Sequence, residues 1–123
     1  MYRLLYHKNL SAEKWGKYSK GQQILMIANE LNRAKNRIIE GSAEEVNYCY
    51  ERAMELTDLT SADDKWKKTH GLKELRRFRE TLGWLYVAEK KDAKLNALIY
   101  RTLIEMTAES WNLLGSNNKK NKK

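Results

Sequence analysis

The sequence predicts an all-α protein, an up-down-up-down four-helix bundle with a short N-terminal helix, and three observations carry that expectation. The chain of 123 residues contains no proline, so no residue removes a backbone donor from a helix interior. Leu, Ala, Glu, Lys and Arg, which lose little freedom on entering a helix, are in good supply. Apolar residues also recur at helical spacing in four separate stretches, and each stretch has a polar start signal near it.

The first stretch has two candidate starts, Ser11-Ala12-Glu13 and Ser19-Lys20-Gly21-Gln22. The stripe Ile24, Ile27, Ala28, Leu31, Ala34 and Ile38 settles the reading: a short helix after Ser11, then a main helix from about Ser19 to Glu40. Ser42-Ala43-Glu44-Glu45 reads as a capping box in which Ser42 and Glu45 satisfy each other's backbone N–H groups. That starts a second helix with Val46, Cys49, Tyr50, Ala53 and Leu56 on one face.

Ser61-Ala62-Asp63-Asp64 offers a serine cap with acids in the first turn, where the helix dipole favours negative charge. A third helix or a short prelude to it follows, with Leu75, Phe78, Leu82, Leu85 and Ala88 inward and a break or bend at His70-Gly71. Asp92 can cap a fourth helix, and Lys90 and Lys91 can sit on the last carbonyls of the third. Short connections make neighbours antiparallel. Residues 1–115 therefore form one domain, and the tail 116–123, with no apolar side chain to bury, is expected to be disordered.

The chain partly repeats itself at an offset of fifty. Residues 11–60 laid on 61–110 give ten identities, Ser11/Ser61, Gly21/Gly71, Glu30/Glu80, Ala43/Ala93 and Tyr50/Tyr100 among them, where composition alone gives about three. Two related helical hairpins are the expected architecture.

Composition excludes several function classes. Hydrophobic content of 41% beside 33% charged residues is that of a soluble globular protein. No apolar run approaches the roughly 20 residues of a membrane span, and Met1 to Lys8 is too short and polar for a signal peptide, so a cytoplasmic location is expected. Cys49 stands alone and belongs to a buried face, as a structural thiol. His7 and His70 are the only histidines, and His70 with Glu74 falls short of a metal motif. Glu30, Glu55, Glu80 and Glu105 recur once per helix, but helical angle sends them outward or to a stripe edge as solvated carboxylates. Glu55 and Asp58 share a face without the further acidic helix a magnesium site needs. No catalytic residue, metal or cofactor is expected, and the protein reads as non-enzymatic.

Two surfaces remain. Lys65, Lys68, Arg76 and Arg79 fall near one side of the third helix if it is continuous, as candidate phosphate contacts. Residues 61–123 carry 15 Lys and Arg against 8 Asp and Glu, whereas 1–60 carry nine against eight. Glu80 and Glu74 stand where they can pair with Arg76 and Arg77. The four tryptophans and seven tyrosines are assigned to packing. The fourth helix is apolar over more than half its circumference. Leu95, Ile99, Leu103 and Met106 make one stripe, and Ala97, Tyr100, Ile104, Ala108 and Trp111 a second, beyond what one core contact uses. The N-terminal segment with Tyr2, Leu4, Leu5 and Tyr6 is one cover for this excess, and an intermolecular contact is the other. The expected activity is protein association through that second stripe, with another protein or with a second copy in a homodimer. The alternative is a nucleic-acid-associated protein, and no membrane partner is expected.

Overall fold

A computed structural model describes residues 7, 10–67 and 69–121, with backbone alone at His70 and at 116–121. Among the described residues there are seven helices: α1 (Ala12–Gly16), α2 (Lys20–Glu40), α3 (Ala43–Ser61), α4 (Asp64–Lys67), α5 (His70–Val87), α6 (Ala93–Ile104) and α7 (Ala108–Asn121). There is no strand among the described residues. The N-terminal cover considered for the fourth helix, and Lys68, lie outside the described residues.

Both candidate starts of the first stretch are used. Ser11 Oγ accepts from the Lys14 N–H and begins α1. Ser19 and Gln22 form a reciprocal capping box at α2, with N–O distances of 3.2 and 2.9 Å. At the other end of α2, Gly41 takes a left-handed conformation, φ 79°. Its N–H reaches Ile38 O while the Ser42 N–H reaches Arg37 O, the paired bonds of a Schellman ending.

That ending corrects the reading of Ser42. It does precede α3, but its side chain makes no capping bond. Its N–H, which the Glu45 carboxylate would need, is already donated to Arg37 O, and Glu45 lies near the Arg37 guanidinium instead, at 3.8 Å. Ser61 is likewise not a cap. It ends α3, and Asp63 caps the short α4 through the Lys65 N–H at 3.1 Å.

The third helix is not continuous. α4 ends at Lys67 and α5 begins at His70. The break lets the Trp66 ring fold back over Gly71, where a Cβ would stand 2.7 Å from the ring. The fourth helix is also two. α6 stops at Ile104, and Thr107 restarts the chain by accepting the Ser110 N–H at 2.9 Å. The backbone of α7 continues into the lysine-rich end as far as Asn121.

Helix starts keep the fifty-residue register: α2 and α5 begin at 20 and 70, and α3 and α6 at 43 and 93. α2 packs on α3, α6 and α7; α3 packs on α1 and α5; α5 packs on α6. The core lies between them, and the predicted inward faces of α2, α3 and α5 supply most of it, with Trp15 and Trp66 closing one end. No described helix is long and apolar enough to cross a membrane.

Three polar clusters inside this packing were not foreseen. Gln23 is buried and donates to Trp15 O and Asp63 Oδ2, both at 3.0 Å, while accepting the Trp66 indole N–H at 2.8 Å. Burial alone would raise the Asp63 carboxyl. The bonds from Gln23 and the Lys65 N–H, with the Lys65 charge, outweigh it and hold Asp63 below its ordinary value. Asn96, read as a separator between stripes, is buried: it accepts the Tyr50 hydroxyl at 2.9 Å and donates to Leu31 O at 3.0 Å. Burial pushes the Tyr50 phenol up to about 12. Satisfied hydrogen bonds let such groups leave water, and apolar periodicity cannot register them.

The third cluster corrects the carboxylates. Glu80 and Glu105 are exposed, as expected. Glu30 and Glu55 are only 5% and 6% exposed. Arg33 and Arg52 bind Glu30 at 3.1 and 3.0 Å, and the backbone and ring nitrogens of His7 both reach Glu55 Oε1 at 2.9 Å. Long cations and the chain before α1 cover two carboxylates that helical angle placed at or beyond the edge of the core.

Candidate protein interface on α6 and α7

Asp92 fixes the start of α6, its carboxylate accepting the N–H groups of Lys94 and Leu95 at 2.8 and 3.2 Å. Lys91, just before it, reaches back to the carbonyls of Leu85, Tyr86 and Ala88 at 3.1, 2.8 and 2.8 Å. These bonds set the α5–α6 turn, as the sequence led one to expect for this lysine. At the far end the Thr107 and Ser110 hydroxyls meet at 2.7 Å, and Ser110 Oγ donates to Ile104 O at 2.8 Å. This locks the bend between α6 and α7.

Glu109 then holds α7 across the start of α2. Its Oε1 takes the Ser19 hydroxyl at 2.5 Å and the Gly21 N–H at 2.6 Å. A carboxylate there meets the positive end of the α2 dipole. Gly21 is what makes room, since a Cβ would stand 2.4 Å from that same oxygen.

With one side of α7 held by Glu109, Trp111 remains 54% exposed. It borders an apolar cleft of about 280 Å³ with Tyr100, Arg101, Ile104 and Leu114. The structure thus brings together three residues of the predicted stripe, Tyr100, Ile104 and Trp111. Ile104 is its buried floor, and Tyr100 is half-buried. Ala97 and Ala108 are exposed beside the cleft without lining it. Leu114 lies beyond the stripe and was missed, as was Arg101, which belongs to the polar side of the pattern. The first stripe is rotated from its expected position: Ile99 and Leu103 are buried, but Leu95 is exposed and Asn96 takes an inward place.

The basic residues do not form one stripe, because α4 and α5 are separate helices. Lys65 turns inward and donates to Gly16 O at 2.8 Å and to Tyr18 O, beside Asp63 at 3.5 Å. Arg79 pairs with Asp58 on α3 at 3.0 Å. Arg76 is exposed. Among the described residues the pairs Glu80 with Arg76 and Glu74 with Arg77 are not made; at an exposed helix surface they gain little.

Cys49 is buried, which pushes its thiol up, and the nearby Arg52, donating at 3.4 Å, only partly opposes this. No group of three metal-ligating side chains occurs among the described residues. Trp15 and Trp66 are core residues, but Trp84 and Trp111 are exposed, so packing accounts for only half of the tryptophans. Compared with protein-family models, with curated proteins and with solved structures, the chain matches none.

Proposed function

We propose that this chain is a cytoplasmic, non-enzymatic protein that acts by protein association, with a partner protein or with a second copy of itself. The binding face is the α6–α7 surface of Ala97, Tyr100, Ile104, Ala108 and Trp111. We also propose that α2, α3, α5 and α6 form a closed up-down-up-down bundle, which the cycle of contacts α2 to α3 to α5 to α6 and back to α2 supports.

The observation that carries the reading is Trp111. A tryptophan held open beside an apolar cleft, on a helix anchored by Glu109, is the kind of rigid aromatic that anchors interfaces. The test is sedimentation of the full chain, alone and with proteins captured from its host, at about 50 mM and 1 M salt. Association that survives high salt and is abolished by Trp111→Asp supports the proposal. A monomer with no captured protein defeats it, and so does association with nucleic acid that collapses in high salt.

A further inference from the structure

α2, α3, α5 and α6 each pack on two or more other helices, whereas α7 packs mainly on α2. An apolar cleft lies between α7 and α6, its neighbour in the chain. Glu109 seats α7 at the start of α2, on the Ser19 hydroxyl and the Gly21 N–H.

The connection that holds α7 in this place is only Glu105 to Thr107. Ile104 to Ala108 reads Ile-Glu-Met-Thr-Ala, without the glycine or proline that would stop a helix there. Glu105 stays in the right-handed helical region, with φ −77° and ψ −5°. Two contacts keep the chain bent: Ser110 Oγ donates to Ile104 O, six residues back, and Thr107 Oγ accepts the Ser110 N–H. A straight helix has neither, because its backbone bonds each run four residues back and Ile104 O takes the Ala108 N–H instead. Release of the bend lets α6 and α7 run on as one helix over 93–121, about 43 Å long. That lifts α7 off its own α2.

The vacated seat is the same on every copy of the chain. What fits it within one molecule also fits it between two, so the contacts already made by α7 name the occupant as the α7 of a second copy. We propose that two copies exchange α7, each Glu109 taking the Ser19 hydroxyl and Gly21 N–H of the other, with α6 and α7 straightened into one helix. Exchange keeps the contacts of α7 with α2 and adds backbone bonds across the hinge, which makes it a low-cost route to a dimer. The seat receives a carboxylate, so the net charge of +8 does not oppose the contact itself, and its longer-range part is screened within about 8 Å at physiological salt. Such an exchange rests on the reading of the chain as a protein-association module, but it leaves the Trp111 cleft unused.

Sedimentation of the full chain at about 20 μM and about 1 mM tests this, since mass action favours the dimer at the higher concentration. Thr107→Ala removes the cap of the bend in both copies and should raise the dimerisation constant about tenfold. Glu109→Gln weakens the same seat in monomer and dimer alike. It should leave the dimer fraction within about twofold while the return to monomer on dilution becomes about tenfold faster. Trp111→Asp should leave the dimer in place, and circular dichroism checks that each variant is folded. In the dimer, the amides of Thr107 to Glu109 should gain protection from exchange while the rest of α7 stays as protected as in the monomer. A monomer in both the parent and Thr107→Ala at the higher concentration overturns the proposal, as does a dimer that Trp111→Asp or Glu109→Gln abolishes, or one whose hinge amides gain no protection. If the chain alone stays monomeric but a partner is captured through Trp111, this inference falls and the broader reading stands; if neither association occurs, both fall.

Discussion

Asp63 shows how a single side chain ties distant segments together: it caps α4, accepts from Gln23 on α2 and lies beside Lys65. Its carboxyl is held below the ordinary value of 3.8, so on acidification the unfolded chain takes up this proton before the folded one. The stabilisation it provides is present above about pH 4 and is lost as pH falls through the folded value. Thermal unfolding followed from pH 5 to 2 should therefore fall less steeply in Asp63→Asn than in the parent. A parallel slope in the two proteins would show that Asp63 contributes no acid-labile stability. Asn96 gives a second residue-scale expectation. Asn96→Leu strands the Tyr50 hydroxyl and removes a second bond from the Leu31 carbonyl, which keeps its helical bond within α2, and a buried group left without a partner costs about 1 to 3 kcal/mol. Denaturant unfolding should place the variant at least about 1 kcal/mol below the parent; restoration by Tyr50→Phe of part of that loss would assign it to the hydroxyl.

Helix ends, more than helix interiors, separate what could be read from what could not. Ser11, Ser19 and Asp92 announce their helices because the cap needs only residues three positions apart. Ser42 and Ser61 carry the same local signal, yet the Schellman ending of α2 occupies one and α3 runs through the other. The glycines of α5 divide in the same way. Gly71 faces the Trp66 ring at 2.7 Å, whereas at Gly83 the nearest atom to an added Cβ is an Arg79 nitrogen at 3.7 Å. Gly71→Ala should cost about 1 to 3 kcal/mol by overpacking, and Gly83→Ala should stabilise by about 0.5 to 1 kcal/mol through helix propensity. Equilibrium unfolding of the two variants checks the sign of each, and a stabilised Gly71→Ala would mean the Trp66 ring yields freely.

At the scale of the whole molecule, one carboxylate spans most of the chain's length. Glu109 fastens α7 to the start of α2, about ninety residues earlier, through Ser19 and Gly21. Glu109→Ala removes a charge-assisted pair, for which about 1.5 to 3 kcal/mol per bond is usual. Amide exchange should then accelerate across residues 108–115 while α2, α3 and α5 keep their protection. Uniform acceleration through the molecule would instead make α7 part of one cooperative unit. Such a detachable α7 would also carry Trp111 out of its cleft, so association and exchange should change together.

The inward faces of α2, α3 and α5, the cap of α6 and the fifty-residue spacing of the starts of α2 and α5 and of α3 and α6 were legible because they depend on periods of three to four residues and on a repeat visible in the letters themselves. The candidate interface was legible in part: the excess of apolar residues from Leu95 to Trp111 was plain, but not which of them face out. Tertiary structure decided that, by turning Asn96 inward to Tyr50, bending the chain at Thr107 and placing Glu109 against Gly21. It also buried Glu30 and Glu55 under Arg33, Arg52 and His7, and withdrew Lys65 and Arg79 from any common basic face. Local sequence sets the pattern of each helix, because propensity and capping act within a few residues. The partner of a buried polar group is chosen across forty to ninety residues, by the geometry of desolvation and hydrogen bonding, and that choice exists only once the helices have packed.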